Sequence, residues 1–303
     1  MFQQPVEEEN LVGTLFYPSA SSPHPTIIAL GGAAGGLREG GAEVLASQGF
    51  AALALAYFRM DPLPRELVEI PLEYFERAIT WLKSQPEVDA NRMGVVGNSK
   101  GGELALLLGA TYPEDIKVVV GYAPSGIVWQ GIPFDREAYY GGARSPWSLR
   151  GEPVPFARFA RPGIPEMVRM AGFYLGRQPI VGRIFYERAL DDETAISAAS
   201  IAVEKINGAV LVVSGTADQM WPSTYFSEMV IERLKAHDHP FPYEHLRYKG
   251  AGHMITLPKA EPEFTWSERY EVGGSYEANE FANTDSWPRV LNFLERHLKH
   301  KTE

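Results

Sequence analysis

The chain has 303 residues, of which 45% are hydrophobic and 22% charged, close to the soluble globular average. Its formal net charge of −10 argues against a nucleic-acid or anionic-membrane surface. Cysteine is absent, which excludes disulfides, thiolate metal sites and a cysteine nucleophile. The length suffices to bury a sizeable core. No stretch is apolar enough to span a bilayer, and Met1–Glu9 does not read as a signal peptide, so a cytoplasmic location is expected.

Taken in chain order, short apolar runs alternate with helical patterns. Strands are expected at Leu11–Tyr17, Thr26–Leu30, Ala51–Tyr57, Gly94–Val96, Lys117–Tyr122, Ala209–Ser214 and Tyr243–Tyr248. Helices are expected at Arg38–Ser47, Pro71–Ser84, Gly102–Ala110, Pro222–Ala236 and Trp287–Leu298. In the second helix Leu72, Phe75, Ile79 and Leu82 recur at helical spacing and read as core. The alternation implies an α/β fold: a mostly parallel central sheet with helices on both faces, in one domain spanning 1–303.

The stretch from Pro124 to Asn207 breaks the pattern. It is rich in Gly, Pro, Arg and aromatics, with helical pieces at Pro165–Leu175 and Thr194–Glu204 but no obvious strand. Insertions of this length are usually lids or binding loops, so a cap is expected at about 125–207, over the C-terminal edge of the sheet. Between Gly126 and Ala189 lie nine arginines against five acids, a local net of +4 that leaves −14 for the rest. Arginine-rich segments of this kind either receive an anionic substrate or pair with acids elsewhere on the chain.

The most informative motif is Gly97-Asn98-Ser99-Lys100-Gly101-Gly102, between a strand and a helix. Gly-x-Ser-x-Gly in that context is a nucleophile elbow. The turn is so tight that residues two away from the serine must lack side chains, and it lifts Oγ above the sheet. A serine hydroxyl needs a base, and the base needs an orienting acid. Asp218 follows the strand Ala209–Ser214 within Gly215-Thr216-Ala217-Asp218, and His253 follows Tyr243–Tyr248 within Gly250-Ala251-Gly252-His253. The order Ser, Asp, His is the one this sheet type uses. The other six histidines lie before the first core strand, inside strands or at helix ends, and read as structural. Two backbone N–H groups are expected to stabilise an oxyanion: that of Lys100, and that of Gly32 (alternatively Ala33) in Gly31-Gly32-Ala33-Ala34-Gly35-Gly36. This glycine loop is no dinucleotide fingerprint, since no G-x-G-x-x-G with a matching downstream acid appears. The Lys100 side chain reads as a surface or ion-pair group rather than a second base. No cofactor and no metal are expected.

Together these residues resemble the C-terminal catalytic domain shared by acyl-CoA thioesterases and bile acid-CoA:amino acid N-acyltransferases, a branch near dienelactone hydrolases. The matching pieces are Gly31–Leu37 with Glu39, Gly49–Tyr57, Leu72–Phe75, Gly97–Leu104, Asp218 with Trp221, and Gly250–His253. The resemblance implies an α/β-hydrolase fold, a Ser/Cys-His-Asp triad, and fatty or bile acyl thioesters of coenzyme A as substrates. The family's mammalian members carry an N-terminal β-sandwich domain for which this chain has little room before Thr26, and the 124–207 segment matches poorly. Serine where the conjugating members use cysteine implies water rather than an amine as final acceptor. A serine hydrolase of acyl thioesters is therefore expected. The alternatives are a general carboxylesterase acting on uncharged esters, or a catalytically silent hydrolase fold serving as a binding module.

Overall fold

A computed structural model describes residues 1–19, 23–134, 142–160, 179–259 and 270–299, with 163, 164, 167, 168, 171, 175 and 176. The main sheet uses β1 (Phe2–Pro5), β2 (Val12–Tyr17), β3 (His24–Leu30), β4 (Ala51–Ala56), β6 (Val88–Asn98), β7 (Ile116–Tyr122), β10 (Ala209–Gly215) and β11 (Tyr243–Tyr248). Their spatial order is β1-β2-β4-β3-β6-β7-β10-β11. Only β1–β2 and β2–β4 pair antiparallel; every pair from β4 to β11 is parallel. A parallel sheet needs cover on both faces, and successive residues along these strands point to opposite sides. Ile28, Leu53, Val95 and Val119 face one layer, formed by α2 (Glu73–Lys83), α3 (Lys100–Thr111) and α6 (Ser223–Ala236). Ile27, Ala52, Val96 and Val120 face the other, formed by α1 (Gly40–Ser47) and α7 (Tyr276–Leu294). This is the α/β-hydrolase arrangement the motifs imply.

Helix α3 is buried on nearly every side, which follows from its run of Leu and Ala. Helix α7 begins eleven residues before the Trp287 start that periodicity suggests. Its first half buries only Ala282 and Ser286, so it carries little apolar stripe, and Pro288 looks like a helix start when it lies inside one. The start is set by Ser275, whose Oγ accepts the Ala278 N–H at 3.1 Å.

The 124–207 segment is not strandless. Short strands β8 (Trp147–Leu149) and β9 (Glu152–Pro153) form a second sheet with β5 (Ile70–Pro71), too brief to show any alternation in sequence. Helices α4 (Arg183–Glu187) and α5 (Glu193–Ala199) follow, α5 capped by Asp192 and ending five residues short of expectation. Trp129, Ala157, Ile196 and Ala199 of this segment pack with Trp221 and Phe226 in a separate apolar cluster. The expected helix Pro165–Leu175 falls largely outside the described residues.

Candidate active site

Ser99 stands between the end of β6 and the first residue of α3, with φ 53° and ψ −120°. A non-glycine residue at that φ carries about 1–3 kcal/mol of strain and persists only where neighbours over-determine it. They do so here. The Ser99 N–H donates to the Tyr122 carbonyl at 2.8 Å, and its own carbonyl accepts from Gly102 and Glu103 at 2.8 and 3.1 Å. A Cβ at Gly97 would lie 2.0 Å from the Gly101 carbonyl oxygen, and one at Gly101 would lie 2.4 Å from that of Gly31. Both positions require glycine, and the second brings the start of α3 onto the loop that leaves β3.

The three side chains picked from sequence meet. Ser99 Oγ lies 2.9 Å from His253 Nε2, and His253 Nδ1 lies 2.8 Å from Asp218 Oδ2. All three are buried. A carboxylate at Nδ1 fixes the proton there, which leaves the Nε2 lone pair to accept from the serine hydroxyl. The second carboxylate oxygen, Asp218 Oδ1, accepts the N–H groups of Met220 and Trp221 at 2.9 and 3.3 Å. The Trp221 ring meets the imidazole edge-on at 5.9 Å, and its indole N–H donates to the Ala123 carbonyl at 3.0 Å.

Lys100 is the first residue of α3, so no helical carbonyl lies one turn before its N–H. Gly32 and Ala33 lie in the turn after β3. That turn is held by the Tyr57 hydroxyl on the Gly31 carbonyl at 2.6 Å and by Arg59 on the Ala34 carbonyl at 3.1 Å.

Several supporting residues escape a sequence reading. The Lys100 ammonium is buried against Glu103 at 2.8 Å and against the Trp129 carbonyl at 2.8 Å. Glu103 also accepts the Trp129 N–H at 3.3 Å and the Trp147 indole N–H at 3.1 Å. Burial holds the Lys100 pKa below its ordinary value and pushes that of Glu103 above its own, each opposed by the partner's charge. The Lys-x-x-Glu spacing was the available signal, but on a helix it usually marks an exposed pair. The histidine loop is fixed by α7: Asn279 Oδ1 accepts the Gly252 N–H at 2.7 Å, and Asn283 Oδ1 accepts that of Thr256 at 2.9 Å. Residues 270–274 run between the acid and base loops. Gly273 bridges to Asp218, Gly274 bridges to Ala251, and the His253 N–H donates to the Val272 carbonyl at 2.8 Å.

Carboxylates engage arginines of the insertion. Arg144 pairs with Glu69, while Arg183 reaches Glu187 at 2.6 Å and the Asp218 carbonyl at 3.1 Å. Arg136, Arg161, Arg169 and Arg177 lie outside the described residues. Among the described residues no cluster of His, Asp and Glu is arranged to hold a metal, and no helix is long and apolar enough to cross a membrane.

Residues 70–300 match the family model described as BAAT / acyl-CoA thioester hydrolase C terminal. The chain is 32% identical over 301 residues to acyl-coenzyme A thioesterase 5 of Mus musculus, covering 97% of this chain and 65% of that protein. It is 30% identical to the mitochondrial acyl-coenzyme A thioesterase 2 of the same species, covering 98% and 61%. To acyl-coenzyme A amino acid N-acyltransferase 2 of Rattus norvegicus it is 31% identical, covering 98% and 66%. The chain thus spans 61–66% of the length of these relatives. Among solved structures it is similar in fold to a dienelactone hydrolase-like promiscuous phosphotriesterase from metagenomic libraries, with TM-score 0.58, 18% identity and 98% of each chain covered. An α/β-hydrolase from Penicillium sp. sh18 gives TM-score 0.57 at 17% identity, covering 99% of this chain and 100% of that one.

Proposed function

The chain belongs to the BAAT / acyl-CoA thioester hydrolase C-terminal family, and on that premise we propose that it hydrolyses acyl thioesters of the coenzyme A type through an acyl-enzyme on Ser99. The observation that carries the proposal is the unbroken contact from Ser99 Oγ to His253 at 2.9 Å and on to Asp218 at 2.8 Å. Ser99 Oγ attacks the thioester carbonyl carbon while His253 Nε2 takes its proton. Asp218 keeps the imidazole in the receptive tautomer and stabilises the imidazolium. The oxyanion accepts from the N–H of Lys100 and from that of Gly32, with Ala33 the alternative second donor, and lies at the positive end of α3. The imidazolium protonates the departing thiolate. Water, deprotonated by the same nitrogen, then cleaves the serine ester. Residues 125–207 act as the cap that selects the substrate, and the protein works in the cytoplasm, which cell fractionation checks.

Ser99→Ala tests the core of this reading. Thiol release from a panel of acyl-CoA substrates should fall about 10⁴–10⁶-fold with the fold intact. Wild-type turnover in that variant would refute it. The engagement of Arg144 and Arg183 by carboxylates favours a second reading, in which the leaving group is uncharged and the enzyme is a carboxylesterase. The ratio of kcat/KM for an acyl-CoA and the matching p-nitrophenyl ester separates the two. Failure of a fluorophosphonate to label Ser99 would point instead to a silent binding module.

A further inference from the structure

We propose that the buried Lys100–Glu103 pair is a positioning device, which ties the seat of the 125–207 segment to the backbone N–H of Lys100 and so sets the oxyanion geometry. The proposal rests on the reading of Ser99 as nucleophile.

An exposed pair three residues apart on a helix contributes little. This one is unlike that, with side-chain exposures of 3% for Lys100 and 0% for Glu103. Its partners all come from the inserted segment. The ammonium donates to the Trp129 carbonyl, and the carboxylate accepts the Trp129 N–H and the Trp147 indole N–H. The two members of the pair therefore grip the backbone of Trp129 through both its polar groups. Two buried charges are a poor source of stability, because apolar residues of equal volume pack as well or better.

What the pair does supply is constraint at one particular place. The N–H of Lys100 takes its direction from the Ser99 backbone, and Ser99 holds an unfavourable φ of 53° that its surroundings must enforce. The β3 loop enforces it on one side, where Gly101 meets the Gly31 carbonyl. The Lys100 side chain, anchored at its far end, enforces it on the other. A displacement of the inserted segment at Trp129 is thereby transmitted to the donor that faces the reacting carbonyl.

The test compares the wild type with Lys100→Met/Glu103→Leu, Lys100→Met, Lys100→Arg and Trp147→Phe. It measures thermal unfolding, kcat and KM on an acyl-CoA, and the rate constant for fluorophosphonate labelling of Ser99. The double variant should fold with a lowered melting temperature, because the Trp129 N–H and carbonyl and the Trp147 indole N–H lose their buried partners. Its kcat should fall about 10–100-fold with KM changed less than about 3-fold, and labelling should slow in proportion, the size expected for a misplaced oxyanion donor. Lys100→Arg keeps a cation near the same acceptors and should retain more kcat than Lys100→Met. Trp147→Phe removes one donor to the carboxylate and should lower kcat in the same direction by about 2–5-fold. A folded double variant with wild-type kcat and labelling rate overturns the proposal, since the pair would then be packing alone. If the double variant does not fold, wild-type kcat in Trp147→Phe together with equal kcat in Lys100→Arg and Lys100→Met overturns it instead. Absence of labelling in the wild type would sink the nucleophile reading itself, a separate outcome.

Discussion

Asp218→Asn changes one oxygen to nitrogen without changing shape, and the surroundings of Asp218 decide which way the amide will point. Oδ1 accepts two backbone N–H groups, from Met220 at 2.9 Å and Trp221 at 3.3 Å, while Oδ2 faces the imidazole at 2.8 Å. Turning the amide NH₂ toward the two backbone donors leaves buried donors unsatisfied, at about 1–3 kcal/mol each. Shifting the imidazole proton from Nδ1 to Nε2 is cheaper, because the neutral tautomers of histidine differ little in energy. The amide oxygen therefore stays on Met220 and Trp221, its NH₂ faces Nδ1, and the proton moves to Nε2. That nitrogen then presents a hydrogen to Ser99 and cannot accept one. Loss of the base in this way costs about four decades in kcat, roughly 5.4 kcal/mol at 1.36 per decade. Asp218→Ala removes the orienting acid without imposing the wrong tautomer, so it should retain more kcat than the asparagine variant. The assay is saturating thiol release from an acyl-CoA, with mass spectrometry to exclude reversion to aspartate and a melting curve to confirm folding. An asparagine variant within about tenfold of wild type, or less impaired than the alanine variant, refutes the tautomer argument.

Gly101→Ala places a Cβ 2.4 Å from the Gly31 carbonyl oxygen and 2.7 Å from that of Leu30, so α3 must back away from the β3 loop. Urea unfolding should show a loss of about 1–3 kcal/mol, and kcat should fall at least about tenfold; no change in either would contradict the close approach. Asn279→Ala leaves the Gly252 N–H without its acceptor and should cost about 1–3 kcal/mol in the same experiment. Asn279→Asp keeps that acceptor but loses the Nδ2 donor to the Gly273 carbonyl at 3.3 Å, so it should also be destabilised, and an alanine variant as stable as wild type would refute the role of the side-chain oxygen. His245, whose Nε2 lies 2.7 Å from Ser214 Oγ, has its pKa lowered to about 4 by burial and then by Arg247. Its folded value lies below the ordinary 6.5, so the folded state resists protonation and stability is lost as pH falls from about 6.5 toward 4. Melting temperatures across that range should drop less steeply in His245→Gln, and parallel curves would refute the assignment.

The three contacting side chains were legible in sequence because each rests on a local rule. The elbow glycines, an acid after one buried strand and a histidine in a small-residue loop after the next all follow from short-range geometry. The central strands were legible for the same reason, each being a short apolar run bounded by turns. What supports the site was not. Asn279 and Asn283 are ordinary polar residues on a helix, and nothing near them in sequence says that two loops need acceptors. Residues 270–274 have no periodicity, since their role lies in bridging partners about 20 and 55 positions earlier. Glu103 read as part of a helix-forming run, and its burial depends on Trp129 and Trp147 arriving from an insertion whose path no local pattern sets.

The strand of backbone at 270–274 and the two asparagines behind it have a consequence for the order in which the site is assembled. Translation makes Ser99, Asp218 and His253 before it makes the stretch that braces the acid loop against the base loop. A nascent chain cut short before Tyr270 holds all three side chains and none of the bridges that Val272, Gly273 and Gly274 make to their loops. The braced geometry therefore waits on residues 270–274 and on Asn279 and Asn283. Until then the two loops rest on their own direct contacts, the Ala217 N–H on the Ala251 carbonyl at 2.8 Å and the Gly250 N–H on the Thr216 hydroxyl at 2.9 Å.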